Sequence, residues 1–252
     1  MAVTVKTTHE IELMRESNHR LEKVHDALAE MIRPGISTWE IDQEARRLIK
    51  EMEGIPNFLN YEGYPAAVCT SVNEEVVHGI PSKKRILKEG DIISLDCGLI
   101  YKGYHSDAAR THAVGKIADS EKRLMEVTKA SFFEGIKYAK AGHHLHEISA
   151  AIGDYCESRG YGVVRDLVGH GIGTSMHEDP QVPNFRQKSR GMRLVPGMTL
   201  AIEPMITEGT WEVEWLDDGW TVVTADGKPA AHYENTILIT DGEPEILSLT
   251  KF

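Results

Sequence analysis

The chain has 252 residues, 41% of them hydrophobic and 27% charged, with 28 Lys and Arg against 39 Asp and Glu for a net charge of -11. That length and composition support a full hydrophobic core and exclude a disordered or fibrous chain, or one needing disulfide or zinc staples. The acidic surplus argues against an electrostatic grip on nucleic acid, DNA included, and leaves room for carboxylates neutralised by bound cations.

Residues 1–6 run into the polar stretch Thr7-Thr8-His9-Glu10. They contain no apolar segment of the secretory kind. Thr7 with Glu10 makes a capping box, and Ile11, Met14, Leu21, Val24, Leu28 and Met31 follow at helical spacing until Pro34-Gly35. Ser37 with Glu40 opens a second helix through Ile41, Ala45 and Leu48, ending by Gly54. Strands are predicted over 91–99 and 105–114. A third helix is predicted from 119 to about 140, closed by Gly142, and a fourth over 145–159, closed by Gly160. Three more strand regions follow, over 199–206, 211–224 around the Asp218-Gly219 turn, and 231–240. No run of about 18 apolar residues suggests a membrane span. Cys69, Cys97 and Cys156 form no C-x-x-C pair, which fits a reducing compartment. The expectation is a cytoplasmic protein with no membrane partner.

A faint repeat organises these elements. Leu87, Gly90 and Asp96 recur as Leu194, Gly197 and Glu203, and Gly35, Glu40 and Ile41 recur as Gly142, Glu147 and Ile148. His78-Gly79-Ile80 is echoed by His170-Gly171-Ile172 at a shorter offset. Three matches in one order point to an ancestral duplication. One domain over 1–252 would then hold half-repeats at about 35–115 and 142–240, related by a pseudo-twofold axis. Its single curved sheet would carry the helices outside and a site between the halves.

Four carboxylates are out of place. Asp96 sits in the apolar run Ile92-Ile93-Ser94-Leu95, and Asp107 follows beyond a turn at 101–104. An even-length hairpin loop puts both on one face, opposed or one diagonal apart. Glu203 ends the apolar run 199–202, and Glu234 precedes Asn235-Thr236-Ile237. His170 lies between glycines that allow close backbone approach. Taken singly, a strand aspartate more often bonds a turn or pairs with an arginine. Placed equivalently in both halves, these acids call for positive charge, and no Lys or Arg shares their face. Two divalent ions would balance four carboxylates. Oxygen ligands with one imidazole suit Mn, Fe(II), Co or Zn. Such a pair, about 3.5–4 Å apart, equips a site for amide hydrolysis. His143, His144 and His146 are expected as a solvated helix cap, and His105, His112 and His232 as core or strand residues.

In its motifs the chain resembles the type I methionine aminopeptidases of the short bacterial kind, from about residue 7 to 247. The resemblance rests on Asn73-Glu74-Glu75-Val76-Val77-His78-Gly79-Ile80-Pro81, Asp91 to Asp96, Tyr104-His105-Ser106-Asp107, Gly169 to Gly173, His177-Glu178-Asp179-Pro180, Ile202-Glu203-Pro204 and Tyr233-Glu234-Asn235-Thr236. It implies the α+β pita-bread fold. It implies Asp96, Asp107, His170, Glu203 and Glu234 as ligands of two divalent ions, with Asp107 and Glu234 bridging. Glu203 would also take a proton from the attacking water, and His78 and His177 would contact the scissile peptide. Tyr61, Tyr64, Cys69, Met176 and Trp220 would line a methionine-sized pocket, with Met176 replacing the family's more usual aromatic residue.

The implied activity is removal of the initiator methionine from nascent chains with a small second residue, a rule that the Met1-Ala2 start itself fits. A monomer is the family expectation. Basic runs at 82–85 and 186–190 are solvated loops or, in the sharper reading, transient contacts with ribosomal RNA. Two rivals stay open. One is a prolidase or Xaa-Pro aminopeptidase, whose relatives usually carry an additional N-terminal domain. The other is a non-catalytic pita-bread binding module, which would lack metal ligands.

Overall fold

The computed structural model describes residues 3–251, so the Met1-Ala2 start lies outside the described residues. Four α-helices form among the described residues: α1 (Thr8–Met31), α2 (Thr38–Glu51), α3 (Asp119–Ile136) and α4 (Leu145–Glu157). Both predicted capping boxes are present, the Glu10 carboxylate accepting from Thr7 N–H at 2.7 Å and the Glu40 carboxylate from Ser37 N–H at 2.9 Å. α3 stops earlier than expected. Beyond Ile136 the N–H groups of Tyr138 and Ala139 bond three residues back, to Gly135 and Ile136, so the α-helical ladder gives way to turns. α2 and α4 also end a few residues before their glycines.

The strands are β1 (Ile55–Pro56), β2 (Val68–Val72), β3 (Glu75–Val77), β4 (Ile92–Tyr101), β5 (Tyr104–Ala113), β6 (Gly162–Val163), β7 (Gly169–Gly171) and β8 (Glu178–Val182). The series continues with β9 (Thr199–Ile202), β10 (Met205–Thr207), β11 (Val213–Trp215), β12 (Val222–Thr224), β13 (Ala230–His232), β14 (Asn235–Leu238) and β15 (Glu245–Ile246). All their pairings are antiparallel. In the first half β4 is central, flanked by β2 and by β1 and β5; in the second, the order is β15-β14-β9-β7-β8.

Two predicted long strands are each split in two. The run 199–206 breaks at Glu203-Pro204 into β9 and β10, and the run 231–240 breaks at Tyr233-Glu234 into β13 and β14. Proline cannot donate to a ladder, so the break at Pro204 has a local cause. Pairing resumes on both sides, Asn235 opposite Ile202 and Met205 opposite His232. The freed Glu234 N–H crosses to Ala109 O in the first half at 2.9 Å.

Backbone hydrogen bonds recur at an offset of 107 residues. Gly35 N–H donates to Leu87 O at 2.8 Å, and Gly142 N–H to Leu194 O at 2.9 Å. Thr38 N–H donates to Arg85 O, and Leu145 N–H to Met192 O. The isolated bridges Ser37–Ile86 and His144–Arg193 keep the same offset.

The helices cover one side of the strands. Leu21, Val24 and Leu28 of α1 pack with Ile41, Ala45 and Ile49 of α2 over Ile93, Leu95, Cys97 and Leu99. Phe132 of α3 with Ile148 and Ile152 of α4 covers Leu200, Ile202 and Ile237. Burying each large aliphatic side chain contributes about 1.5–3 kcal/mol. A one-residue slip of β4 would forfeit several such contributions at once, so the register is firmly held. By alternation, the face away from the helices then receives Ser94, Asp96 and Gly98.

Candidate active site and metal centre

The β4–β5 hairpin turns through Lys102-Gly103, both with positive φ (49° and 84°), and pairs Tyr101 with Tyr104. Asp96 is therefore opposite Ala109 and Asp107 opposite Gly98, which places the two aspartates one diagonal apart on one face. Arg110 lies on the alternate face. It donates to backbone Ala109 O (2.7 Å) and Ser248 O (2.8 Å), to Glu234 O, and to Asn235 Oδ1 (2.7 Å), so it braces the chain around the acids and leaves their carboxylates unpaired. Thr236 Oγ1 donates to Asp107 O at 2.9 Å, a further stitch between the halves.

Asp107, His170 and Glu234 are all buried, and one potential ligand atom from each lies within 4.8 Å of the others. Half-buried Asp96 and Glu203 line the same cavity, and His170 Nε2 is 3.7 Å from Glu203 Oε1. His170 reaches this point because Gly169 and Gly171 lie against neighbouring backbone: an added Cβ would come within 2.4 Å of Ala201 O or 2.3 Å of Asp179 O. His170 Nδ1 donates to Gly171 O at 2.8 Å, which leaves the Nε2 lone pair free to act as a ligand.

The electrostatics are those of a crowded, buried acid cluster. Burial pushes the Asp96 carboxyl up to about 7, and Glu203 adds to the shift. Burial takes Glu203 to about 8. Burial and then repulsion from neighbouring acids, Asp96 and Glu203 among them, hold Asp107 and Glu234 well above the carboxylate range. Asp96 Oδ1, Asp107 Oδ1 and Glu234 Oε1 are buried without a hydrogen-bond partner among the described residues. Among the described residues no Lys or Arg lines the cavity. Desolvating an unpaired carboxylate costs several kcal/mol, more than any one aliphatic contact in the sheet returns. The orphaned oxygens, the absence of a lining cation and the oxygen-rich donor set all fit divalent metal.

The cavity, of about 160 Å³, has a second, apolar end. Tyr64, Cys69 and Met176 are buried there with Phe58 and Ala66, and Tyr61 and Trp220 pack against them. Tyr64 and Trp220 meet edge to face at 5.1 Å. All five expected pocket residues are brought together. Phe58 is an addition that sequence reasoning missed; its signal was its place one turn before Tyr61.

His78 and His177 stand between the two ends. Close backbone approach positions His78: a Cβ on Gly79 would come within 2.4 Å of Thr70 O. His177 Nδ1 is 2.8 Å from Tyr61 Oη, and its ring lies 4.4 Å from that of His170. Burial takes His78 down to about 4, helped by His232 and His177, and lowers His177 as well. Both are neutral imidazoles near pH 7.

His232, expected only as a core or strand residue, is buried with Nε2 3.6 Å from Glu203 Oε2. Its spacing of two from Glu234 was the signal that could have placed it at the site. The His143–His146 stretch forms the start of α4, where Glu147 accepts from His144 N–H at 2.7 Å, and none of its histidines is among the residues lining the cavity.

This combination of duplicated acid-bearing strands and a buried carboxylate–imidazole cluster defines a metallohydrolase of the pita-bread class. The model of metallopeptidase family M24 matches residues 12–241, and the chain belongs to that family. It is 53% identical over 247 residues to the methionine aminopeptidase of Clostridium acetobutylicum, covering 98% of this chain and 99% of the relative. The crystal structure of methionine aminopeptidase from Thermotoga maritima superposes with a TM-score of 0.96 at 44% identity, covering 98% and 99% of the two chains. The Xaa-Pro dipeptidase from Bacillus anthracis superposes with a TM-score of 0.80 at 26% identity, and only 62% of that longer chain is covered.

Proposed function

We propose that this protein is a methionine aminopeptidase that removes the initiator methionine from nascent chains with a small second residue. The observation that carries the reading is one cavity joining a thioether- and aromatic-lined end to a floor of four carboxylates and His170. Asp96, Asp107, His170, Glu203 and Glu234 would hold two divalent ions. Bound there, the ions would supply Lewis acidity toward the peptide carbonyl and lower the pKa of water. Fe(II), Mn, Co and Zn all suit the donor set.

The chain's own groups do the rest. The apolar end takes the methionine side chain, where the flexible Met176 packs against a second thioether. Glu203 receives the proton of the attacking water. Tyr61, donating to His177 Nδ1, leaves the His177 proton on Nε2, where it stabilises negative charge developing on the carbonyl oxygen. His78 donates to the leaving amide nitrogen.

Half-repeats at 35–115 and 142–240 within one catalytic domain account for the acids converging from both sides, and the hydrogen bonds repeated at a fixed offset support them. Among the described residues no helix is long and apolar enough to cross a membrane. A cytoplasmic monomer in transient contact with the ribosome completes the reading. Arg186 of the second basic run is already paired with Asp154, so reversing the charge of Lys188 and Arg190 is the cleaner test of that contact. Salt-sensitive co-sedimentation with ribosomes should weaken, and unchanged sedimentation would remove the contact.

The central test is cleavage of Met-Ala-Ser by metal-stripped protein reconstituted with each ion in turn, alongside an Xaa-Pro dipeptide. Release of methionine only after metal addition is expected. Preferential cleavage of the Xaa-Pro substrate would favour the dipeptidase reading, and neither activity together with absent metal binding would favour the binding module.

A further inference from the structure

One acid at this cavity has no place in the metal centre. Glu62 is exposed and lines the cavity from the short turn Tyr61–Gly63, between the two tyrosines of the pocket. The turn is tightly held: Asn60 N–H donates to Tyr64 O at 2.8 Å and Tyr64 N–H to Tyr61 O at 2.9 Å. Asn60, Glu62 and Gly63 all have positive φ (67°, 49° and 95°). The neighbouring Tyr61 is anchored on His177. Glu62 is thereby pinned at the rim, and it forms no ion pair among the described residues.

Charge accounting gives this acid a consequence. Two dications match the four carboxylates of the floor. Among the described residues no Lys or Arg lines the cavity, so Glu62 is left as an uncompensated anion at the mouth. A peptide whose first side chain fills the apolar end and whose scissile bond lies by His78 and His177 must leave past the 61–64 turn. Successive residues of an extended chain advance about 3.3 Å each, so the third residue passes the rim where the second is still beside the histidines.

We propose that Glu62 is a specificity-determining residue, selecting nascent chains with lysine or arginine at the third position and disfavouring those with aspartate or glutamate there. The proposal rests on the aminopeptidase reading. Opposite charges a few ångströms apart at a solvated rim interact weakly and are screened by salt, so the discrimination is modest.

The test measures kcat/KM for Met-Ala-Lys-Ser, Met-Ala-Ser-Ser and Met-Ala-Glu-Ser with the manganese-loaded wild-type, Glu62→Gln and Glu62→Lys proteins. Each charged peptide is expressed relative to the neutral one, so uniform losses of activity cancel. The expected wild-type preference for the lysine over the glutamate peptide is about three- to tenfold at low salt. It should be carried mainly by KM and shrink at high ionic strength. It should collapse toward unity in Glu62→Gln and invert in Glu62→Lys. Equal ratios in all three proteins, or no wild-type preference, would overturn the assignment while leaving the peptidase reading intact. Failure of the wild-type protein to cleave even Met-Ala-Ser-Ser would overturn both.

Discussion

The floor of the cavity and its wall are built differently. The floor acids sit on strands or at strand breaks, with backbone bonds joining the halves, as where Glu234 N–H meets Ala109 O. The wall side chains come mostly from connections: Phe58, Tyr61 and Tyr64 around a turn, Met176 and His177 before β8, and Trp220 between β11 and β12. A ligand set must hold its geometry to a fraction of an ångström, which sheet hydrogen bonding can enforce. A pocket for a flexible side chain tolerates small shifts that loops can absorb. The floor should therefore fail abruptly when altered and the wall gradually.

The largest effect is expected at the floor. Asp107→Asn keeps the shape and removes one charge from the buried trio with His170 and Glu234. Loss of a group that only orients a ligand weakens metal binding about 10–100-fold, so if Asp107 holds metal directly, as proposed, its loss should cut metal affinity and activity by more than about 100-fold. Isothermal titration with Mn²⁺ and the peptide assay check this. Near-normal binding would mean that the floor is not the metal site.

Next comes the N-terminal clasp on the wall. Lys6 Nζ lies 2.5 Å from Glu178 Oε2, with both side chains nearly fully buried. Glu178 Oε1 also accepts from Ser175 N–H at 3.3 Å, so the pair ties the segment before α1 to the loop bearing Met176 and His177. Burial pushes the Glu178 carboxyl up, but the bonds from Lys6 and Thr4 outweigh it and leave it below the usual range. Lys6→Met strands that carboxylate and should cost about 3–5 kcal/mol, or very roughly 10 °C in Tm for a chain of this size. The depressed pKa makes this contribution present above the unfolded-state carboxylate value and lost as pH falls through the native one. The wild-type–mutant difference should therefore shrink on acidification, and a difference that grows would contradict the assignment.

A smaller effect concerns pH and returns to the floor. Asp96 and Glu203 have native pKa values raised to about 7 and 8 without metal. Their stabilisation is complete below the unfolded-state carboxylate range and lost as pH rises through those native values. Buried His25, His112 and His170, depressed to about 3, 4 and 3, act in the opposite direction but only up to the unfolded-state histidine range, about 6.5. Between pH 6.5 and 8 Asp96 and Glu203 should therefore cost metal-free protein on the order of 2 kcal/mol, and the raised carboxyls of Asp107 and Glu234 add to the loss. Thermal melts with and without Mn²⁺ check this, and the slope should vanish when metal is present. A slope that persists with metal would place its source elsewhere.

The smallest effect is on the wall. Met176→Leu conserves volume and should cost less than about 1.5 kcal/mol, raising KM for Met-Ala-Ser severalfold with little change in kcat. A loss confined to kcat would move Met176 from fit to chemistry.

Both capping boxes, the shared face of Asp96 and Asp107 and the place of the acids in or beside apolar strand runs follow from the sequence by itself. Each depends on interactions within a few residues or on the two-residue period of a strand, and the quoted motifs carried the family with them. Tertiary structure alone decided that the strand at 231–240 breaks beside Glu234, and that His232 borders the acids. It also decided that Phe58 and Glu62 join the cavity and that Lys6 meets Glu178 across 172 residues of chain. Those outcomes depend on how distant segments pack and on which buried charges find partners. Neither is written in local periodicity, because each energy is shared between groups that only the completed fold brings together.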